Sequence, residues 1–175
     1  MQKVKYFFWM GCIALITFSF SNKPKAQINW LSFEQMQDAY SNNPKPILVD
    51  LYTSWCGWCK EMDRTTYKND KVVAYINEHY YAVKYNAESR DSVLFNNQKF
   101  GYNTEYKTNE LAMHLSFNQL EYPNTIFLSS INARPAPLSG YMKPKELEAP
   151  LKYFAERKSE QETFVEFNKK MKKEW

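Results

Sequence analysis

One stretch constrains the fold more than any other part of the chain. It is Ile47-Leu48-Val49-Asp50-Leu51-Tyr52-Thr53-Ser54-Trp55-Cys56-Gly57-Trp58-Cys59-Lys60. Its first six residues form an apolar run without the alternation of a half-exposed strand, so they read as a strand buried on both faces. Cys56 follows this strand and opens a helix, and Cys59 stands one turn later on the same helix face. The chain must therefore pass from a central strand straight into a helix with two cysteines at its start.

A Cys-x-x-Cys spacing by itself fits a redox pair, half of a zinc site, or coincidence. A zinc site needs two further ligands. Only His79 and His114 are available, both on predicted helices and without the usual ligand spacing, so no metal is expected. The redox reading has a physical basis. Unpaired N–H groups and the helix dipole at the helix start stabilise a Cys56 thiolate, while Cys59 lies within disulfide reach and is expected to be the less exposed, resolving thiol. Asp50 is the second clue. An acid in the middle of an apolar strand is costly to bury as a charge, so it reads either as an edge or turn residue or as a raised-pKa carboxyl exchanging a proton with Cys59.

The rest of the chain supplies an α/β frame. Ser32 and Gln35 have capping-box spacing, with Leu31 and Met36 as a hydrophobic staple, and predict a helix from about Phe33 to Ser41. The active-site helix is expected to run to about Thr66. Asp70 is expected to cap a second helical stretch whose inner face carries Val72, Val73, Ile76 and Tyr80. Tyr81–Tyr85 reads as the next strand, so strand, helical crossover and strand imply a right-handed βαβ unit with a parallel pair. Asn109 should cap a short helix carrying Leu111, Ala112 and Leu115. Asn124–Ser129 and Ala136–Tyr141 read as paired strands around a turn at 131–135. Pro144 should begin a helix to about Arg157, kinked at Pro150. Ser159 and Glu162 read as the capping box of a terminal helix spanning the 159–175 region, with Phe164, Phe167 and Met171 on one side.

Residues 1–26 read as an export signal. A basic start leads into an apolar run from Tyr6 to Phe20, and fifteen helical residues cover about 22 Å, short of the ~30 Å bilayer core. Cleavage is expected after Ser21 or Ala26. Retention as an anchor, or lipidation at Cys12, is the less favoured outcome. This segment holds four of the 23 basic residues and no acid, which leaves 19 bases against 19 acids in the remainder. Such a balance builds no basic face for nucleic acid. With four glycines in total there is also no Gly-rich phosphate loop, and no cofactor is expected.

The stretch from Ile47 to Lys60 resembles the strand and active-site turn of the thioredoxin family. Val83-Lys84-Tyr85-Asn86 resembles that family's third strand with its lysine, Tyr122-Pro123 its cis-proline, and Gly140 its glycine before the last helix. The resemblance covers about residues 31–157 and is strongest toward exported members with a Trp-Cys-Gly-Trp-Cys-Lys motif. It implies a thioredoxin fold, a central mixed β-sheet flanked by helices, for residues 27–158. It also implies Cys56 as nucleophile, Cys59 as resolving thiol and Asp50 as proton carrier. Trp55, Gly57, Trp58, Tyr122 and Pro123 would contact substrate, and Lys84 and Lys60 would modulate the site. Trp58 replaces the proline common inside the motif, and residues 91–108 are an insertion, expected as a hairpin from Val93 to Tyr102 around Asn96-Asn97.

The expected function is thiol-disulfide exchange outside the cytoplasm, in the periplasm, by a monomer. The expected partners are protein thiols and disulfides together with a membrane-linked electron donor or acceptor. Reductase, oxidase and isomerase all run the same exchange, and its direction is left open. The rival expectation is a binding or chaperone module that keeps the fold and uses the cysteine pair as a structural disulfide.

Overall fold

The structure is a computed structural model that describes residues 25–157, 159 and 161–175. The expected export segment, apart from Lys25 and Ala26 but including Cys12, lies outside the described residues. In chain order the elements are β1 (Trp30–Leu31), α1 (Phe33–Asn42), β2 (Ile47–Tyr52), α2 (Gly57–Arg64), a 3-10 turn (Thr66–Lys68), α3 (Asp70–His79) and β3 (Tyr81–Asn86). Then come β4 (Val93–Phe95), β5 (Gln98–Phe100), β6 (Tyr102–Asn103), β7 (Thr108–Asn109), α4 (Glu110–Ser116), β8 (Asn124–Leu128), β9 (Ala136–Ser139), α5 (Pro144–Glu156) and α6 (Phe164–Lys170).

Five strands form one mixed sheet in the order β1-β3-β2-β8-β9. The β1–β3 and β2–β3 pairs are parallel, whereas β8 runs antiparallel to both β2 and β9. The unalternating run of β2 is explained by its central place, since neighbours on both sides and helices on both faces leave Ile47, Leu48, Val49 and Leu51 fully buried. Ile47, Val49 and Leu51 pack toward α1 and α4 with Phe33, Met36, Leu111 and Leu115. Leu48 faces the opposite layer, where Met62 of α2, Val72 and Ile76 of α3 and Leu147 and Leu151 of α5 meet it. Asp50 shares the Leu48 face by the two-residue period of a strand, so it is directed toward the layer that carries α2.

The Ser32 capping box is formed, with Ser32 Oγ accepting the Gln35 N–H and Gln35 returning a bond to the Ser32 N–H. Two expected caps move. Asn69, not Asp70, caps α3, accepting from the Lys71 and Val72 N–H groups. Asp70 instead becomes the first helical residue, where a negative charge suits the dipole. The terminal helix is capped by Thr163 with Glu166 rather than by Ser159 with Glu162. Both pairs have the S/T-x-x-E spacing, and the later one leads directly into the helix. The active-site helix also ends earlier than expected, at Arg64, and gives way to the 3-10 turn. Helix α5 starts at Pro144 and continues through Pro150 to Glu156.

The insertion splits into two ladders. Val93–Phe95 pairs with Gln98–Phe100 around Asn96 and Asn97, both in the left-handed region with φ of 49° and 62°, as a tight hairpin turn demands. A second, unexpected ladder joins Tyr102–Asn103 to Thr108–Asn109. Also unexpected is β1, a two-residue strand beside β3.

Candidate active site

The turn after β2 delivers Cys56 to the N-cap of α2, where it keeps an extended backbone and its Sγ accepts the Cys59 N–H at 3.0 Å. Cys56 and Cys59 form a disulfide, with Sγ atoms 2.09 Å and Cα atoms 5.3 Å apart. Both residues are buried, Cys59 at 3% slightly more than Cys56 at 5%, a difference in the expected direction but too small to rank the two sulfurs. Position does. In the reduced state, a Cys56 thiolate would have a helix N-terminus and a backbone donor directed at it.

Two indoles flank the disulfide and are largely open to solvent, Trp55 at 66% and Trp58 at 63%. The Trp55 Nε1–H donates to Glu88 Oε1 at 2.9 Å, and its ring meets Tyr122 edge to face with centroids 6.0 Å apart. Trp58 lies against Tyr141, centroids 5.5 Å apart. The space over Gly57 is open, with no atom beyond its chain neighbours and its own helix backbone within 4 Å of where a Cβ would stand. The Tyr122-Pro123 peptide is cis, and the Pro123 carbonyl accepts the N–H of Gly140, whose φ of 100° favours glycine there.

On the face of β2 that it shares with Leu48, Asp50 is 2% exposed and its carboxylate accepts a bond from Lys84 Nζ at 2.5 Å. The pairing follows from strand register, which sets Asp50 opposite Lys84 on one side and Thr125 on the other. The same ammonium reaches Asp63 at 2.5 Å and sits 4.9, 5.2 and 5.7 Å from the ring centroids of Tyr52, Trp30 and Tyr67. Tyr67 OH donates a long bond of 3.4 Å to the other Asp50 oxygen. Burial pushes the Asp50 carboxyl above its ordinary value, against the downward pull of Lys84. Burial also works to lower the Lys84 ammonium, but the two carboxylates outweigh it and hold that pKa above its usual value. A cleft of about 250 Å³, lined in part by Trp30, Asp63, Tyr67 and Lys84, opens onto this cluster.

The structure thus places Cys56, Cys59, Trp55, Gly57 and Trp58 on one turn. It brings Tyr122 against Trp55 and joins Asp50 to Lys84. Lys60 stands apart from that cluster, exposed and without a charged partner among the described residues. Two residues escaped the sequence reading. Asp63 lies four positions after Cys59, a helix-neighbour spacing that could have flagged it. Glu88 follows β3 just as Cys56 follows β2, and parallel strands bring those ends together. The histidines are engaged elsewhere, His79 against Tyr75 and His114 against Phe100. Among the described residues there is no cluster of three or more His, Cys, Asp or Glu that could hold a metal.

The sequence model of one protein family, described as "Thioredox_DsbH: Protein of unknown function, DUF255", matches residues 19–175. The chain belongs to this family. Among curated proteins it is similar to the thiol:disulfide interchange protein DsbD of Campylobacter jejuni, with 36% identity over 42 residues. It is also similar to the uncharacterized protein B0495.5 of Caenorhabditis elegans, with 32% identity over 68 residues. These matches cover 24% and 38% of the chain but only 7% and 9% of those relatives. Three solved structures share the fold at low identity. A DsbH oxidoreductase aligns over 87% of this chain and 94% of its own, with a TM-score of 0.52 at 13% identity. A thioredoxin from Thermus thermophilus covers 72% and 85% with 0.54 at 13%, and a thioredoxin-fold protein from Helicobacter pylori 73% and 80% with 0.53 at 19%. The fold is that of thioredoxin. Among the described residues no helix is long and apolar enough to cross a membrane.

Proposed function

We propose that the protein is a thiol-disulfide oxidoreductase acting on protein substrates. The observation that carries this reading is the placement of Cys56 Sγ at the start of α2, bonded to Cys59 and accepting its N–H. In the reducing direction, the Cys56 thiolate attacks one sulfur of a substrate disulfide and expels the other as a thiolate. Cys59, losing its proton to Asp50, then attacks Cys56 Sγ and expels the second substrate thiolate. Two electrons pass from the cysteine pair to the substrate, and the Cys56–Cys59 disulfide remains. The oxidising direction is the reverse. In this reading Trp55, Gly57, Trp58, Tyr122 and the buried Pro123 are the substrate contacts, supported by the exposure of the two indoles and by the open space over Gly57, which leaves room for a polypeptide backbone.

We place this activity outside the cytoplasm, in the periplasm, with residues 1–26 as the export signal and a membrane-linked donor or acceptor renewing the cysteine pair. Insulin reduction coupled to dithiothreitol tests the chemistry. The protein should accelerate it, and Cys56→Ser should abolish the acceleration. Equal activity of wild type and Cys56→Ser would remove the exchange reading and leave the disulfide a structural bond.

A further inference from the structure

The insertion at residues 91–108 is continuous in sequence, yet its two halves are built differently. The 93–100 hairpin is a lid on the core. Phe95 and Phe100 are buried, and Gln37 of α1 bonds the Leu94 carbonyl and the Asn96 N–H. The 102–109 hairpin is instead fastened to the rim of the disulfide. Thr108 Oγ1 donates to the Ala87 carbonyl at 2.8 Å, and the Asn109 N–H donates to the same oxygen at 2.7 Å. Asn109 Nδ2 bonds the carbonyls of Ser89 and Asp91. Ala87 is followed by Glu88, the residue that holds the Trp55 indole. Burial raises the pKa of the Tyr122 hydroxyl, with the Thr108 side chain working against that shift and the Glu88 charge adding to it. Thr108 and Asn109 are thus buried anchors beside the two aromatic residues on one side of the cysteine pair.

Beyond those anchors the tip is exposed and hydrogen-bonded within itself. Asn103 Oδ1 accepts the N–H groups of both Glu105 and Tyr106 at 3.0 Å, and Lys107 closes the turn with φ of 52°. Tyr106 is left 56% exposed on this braced turn. A tyrosine held out in this way offers a large amphipathic contact with little ordering cost. Like Trp55 and Trp58 it is an exposed aromatic ring, a residue type enriched at contact sites, and it stands on the hairpin whose base is bonded to Ala87, next to the residue that holds the Trp55 indole.

We propose that the 102–109 hairpin is the substrate-selecting wall of the redox site, and that Tyr106 contacts an extended polypeptide stretch flanking the target disulfide. The inference rests on the exchange reading above. It separates substrates by size. A small disulfide spans only the sulfurs and the groups beside them, whereas a polypeptide continues across the rim to the wall.

Reduction of insulin and of hydroxyethyl disulfide by wild type, Tyr106→Ser, Tyr106→Phe and Cys56→Ser tests it. Tyr106→Ser should lower kcat/KM for insulin about tenfold, chiefly through KM, the size expected for losing one aromatic contact. The rate with hydroxyethyl disulfide should stay within about twofold, and Tyr106→Phe should retain most of the insulin rate. An unchanged insulin rate in Tyr106→Ser, or an equal fall with both substrates, overturns the proposal while leaving exchange intact. If wild type is inactive on both, or Cys56→Ser matches it, the exchange reading fails and the proposal fails with it.

Discussion

Replacing Asp50 with asparagine should make the protein progressively more stable than wild type as pH rises from the ordinary carboxyl value of 3.8 toward neutrality. Two terms compete. The substitution removes a buried ionised carboxylate, whose desolvation costs several kcal/mol, and gives up a charged hydrogen bond of about 1.5–3 kcal/mol. Lys84 keeps Asp63 at 2.5 Å and three aromatic faces, so it is not left as a lone buried charge. The pH dependence decides which term wins. With the folded-state pKa raised by burial, native Asp50 binds a proton in a range where the unfolded chain has already released it. Wild-type stability therefore falls as pH rises from 3.8 through the folded value, by up to about 1.4 kcal/mol per pH unit. The variant lacks this loss. With a urea dependence of about 2 kcal/mol per molar, the midpoints should diverge by up to ~0.7 M per pH unit inside that window. The raised Lys84 pKa contributes stability that is complete below 10.5 and lost only above it, outside this range. Urea unfolding of both disulfide-bonded proteins at about pH 4, 5, 6 and 7 is the assay. A midpoint difference that moves against the variant as pH rises would mean that the Lys84 pair, not burial, governs Asp50.

The same Asp50→Asn protein should turn over insulin about tenfold to a hundredfold more slowly near neutral pH, because the proton acceptor for Cys59 is gone; the pH profile of kcat/KM from about 6 to 9 checks this. Asn109→Ala removes the α4 cap and both bonds to the Ser89 and Asp91 carbonyls, and should cost about 2–4 kcal/mol in chemical denaturation, while Asn109→Ser recovers about 1 kcal/mol through the cap. Glu148→Gln should cost about 1–3 kcal/mol and speed amide exchange at Glu174 and Trp175, whose N–H groups the buried Glu148 carboxylate accepts beside Lys152. Burial opposes the charged form of Glu148, but Lys152 and those N–H groups hold its pKa below 4.5. Its contribution is therefore full above that value and fades as pH falls through the folded one, so variant and wild type should converge in acid.

How much was legible in the sequence depends on how local each feature is. The β2–α2 turn, the Ser32 box, the Asn109 cap and the Asn96-Asn97 hairpin were readable because residue type and spacing within a few positions dictate them. Asp50 was readable as a violation of an apolar pattern, and its link to Lys84 as a consequence of adjacent parallel strands. Asp63 carried only its helix-neighbour spacing from Cys59, a weak signal, since a charged residue on a short helix resembles any solvated position until the fold turns that face toward Lys84. The parallel β2–β3 pair brings Glu88 to the end of the sheet where Cys56 lies, but its bond to Trp55, like that of Thr108 to Ala87, was hidden because the partners lie 33 and 21 residues away. The two displaced caps show that capping chemistry is easy to recognise and its exact residue is not, where Asn69 adjoins Asp70 or two boxes follow in succession. Strand β1 was missed because two residues leave no period to detect; it exists through its pairing with β3.

The central claim concerns which sulfur attacks, and covalent trapping tests it most directly. Reduced Cys59→Ser protein mixed with insulin should accumulate an adduct detectable by intact mass, and peptide mapping should place the bond at Cys56, because no second thiol remains in the motif to resolve it. Cys56→Ser should accumulate little or none. An adduct forming readily at Cys59 in Cys56→Ser, with none at Cys56 in Cys59→Ser, would contradict the assignment of the helix-start sulfur as the nucleophile.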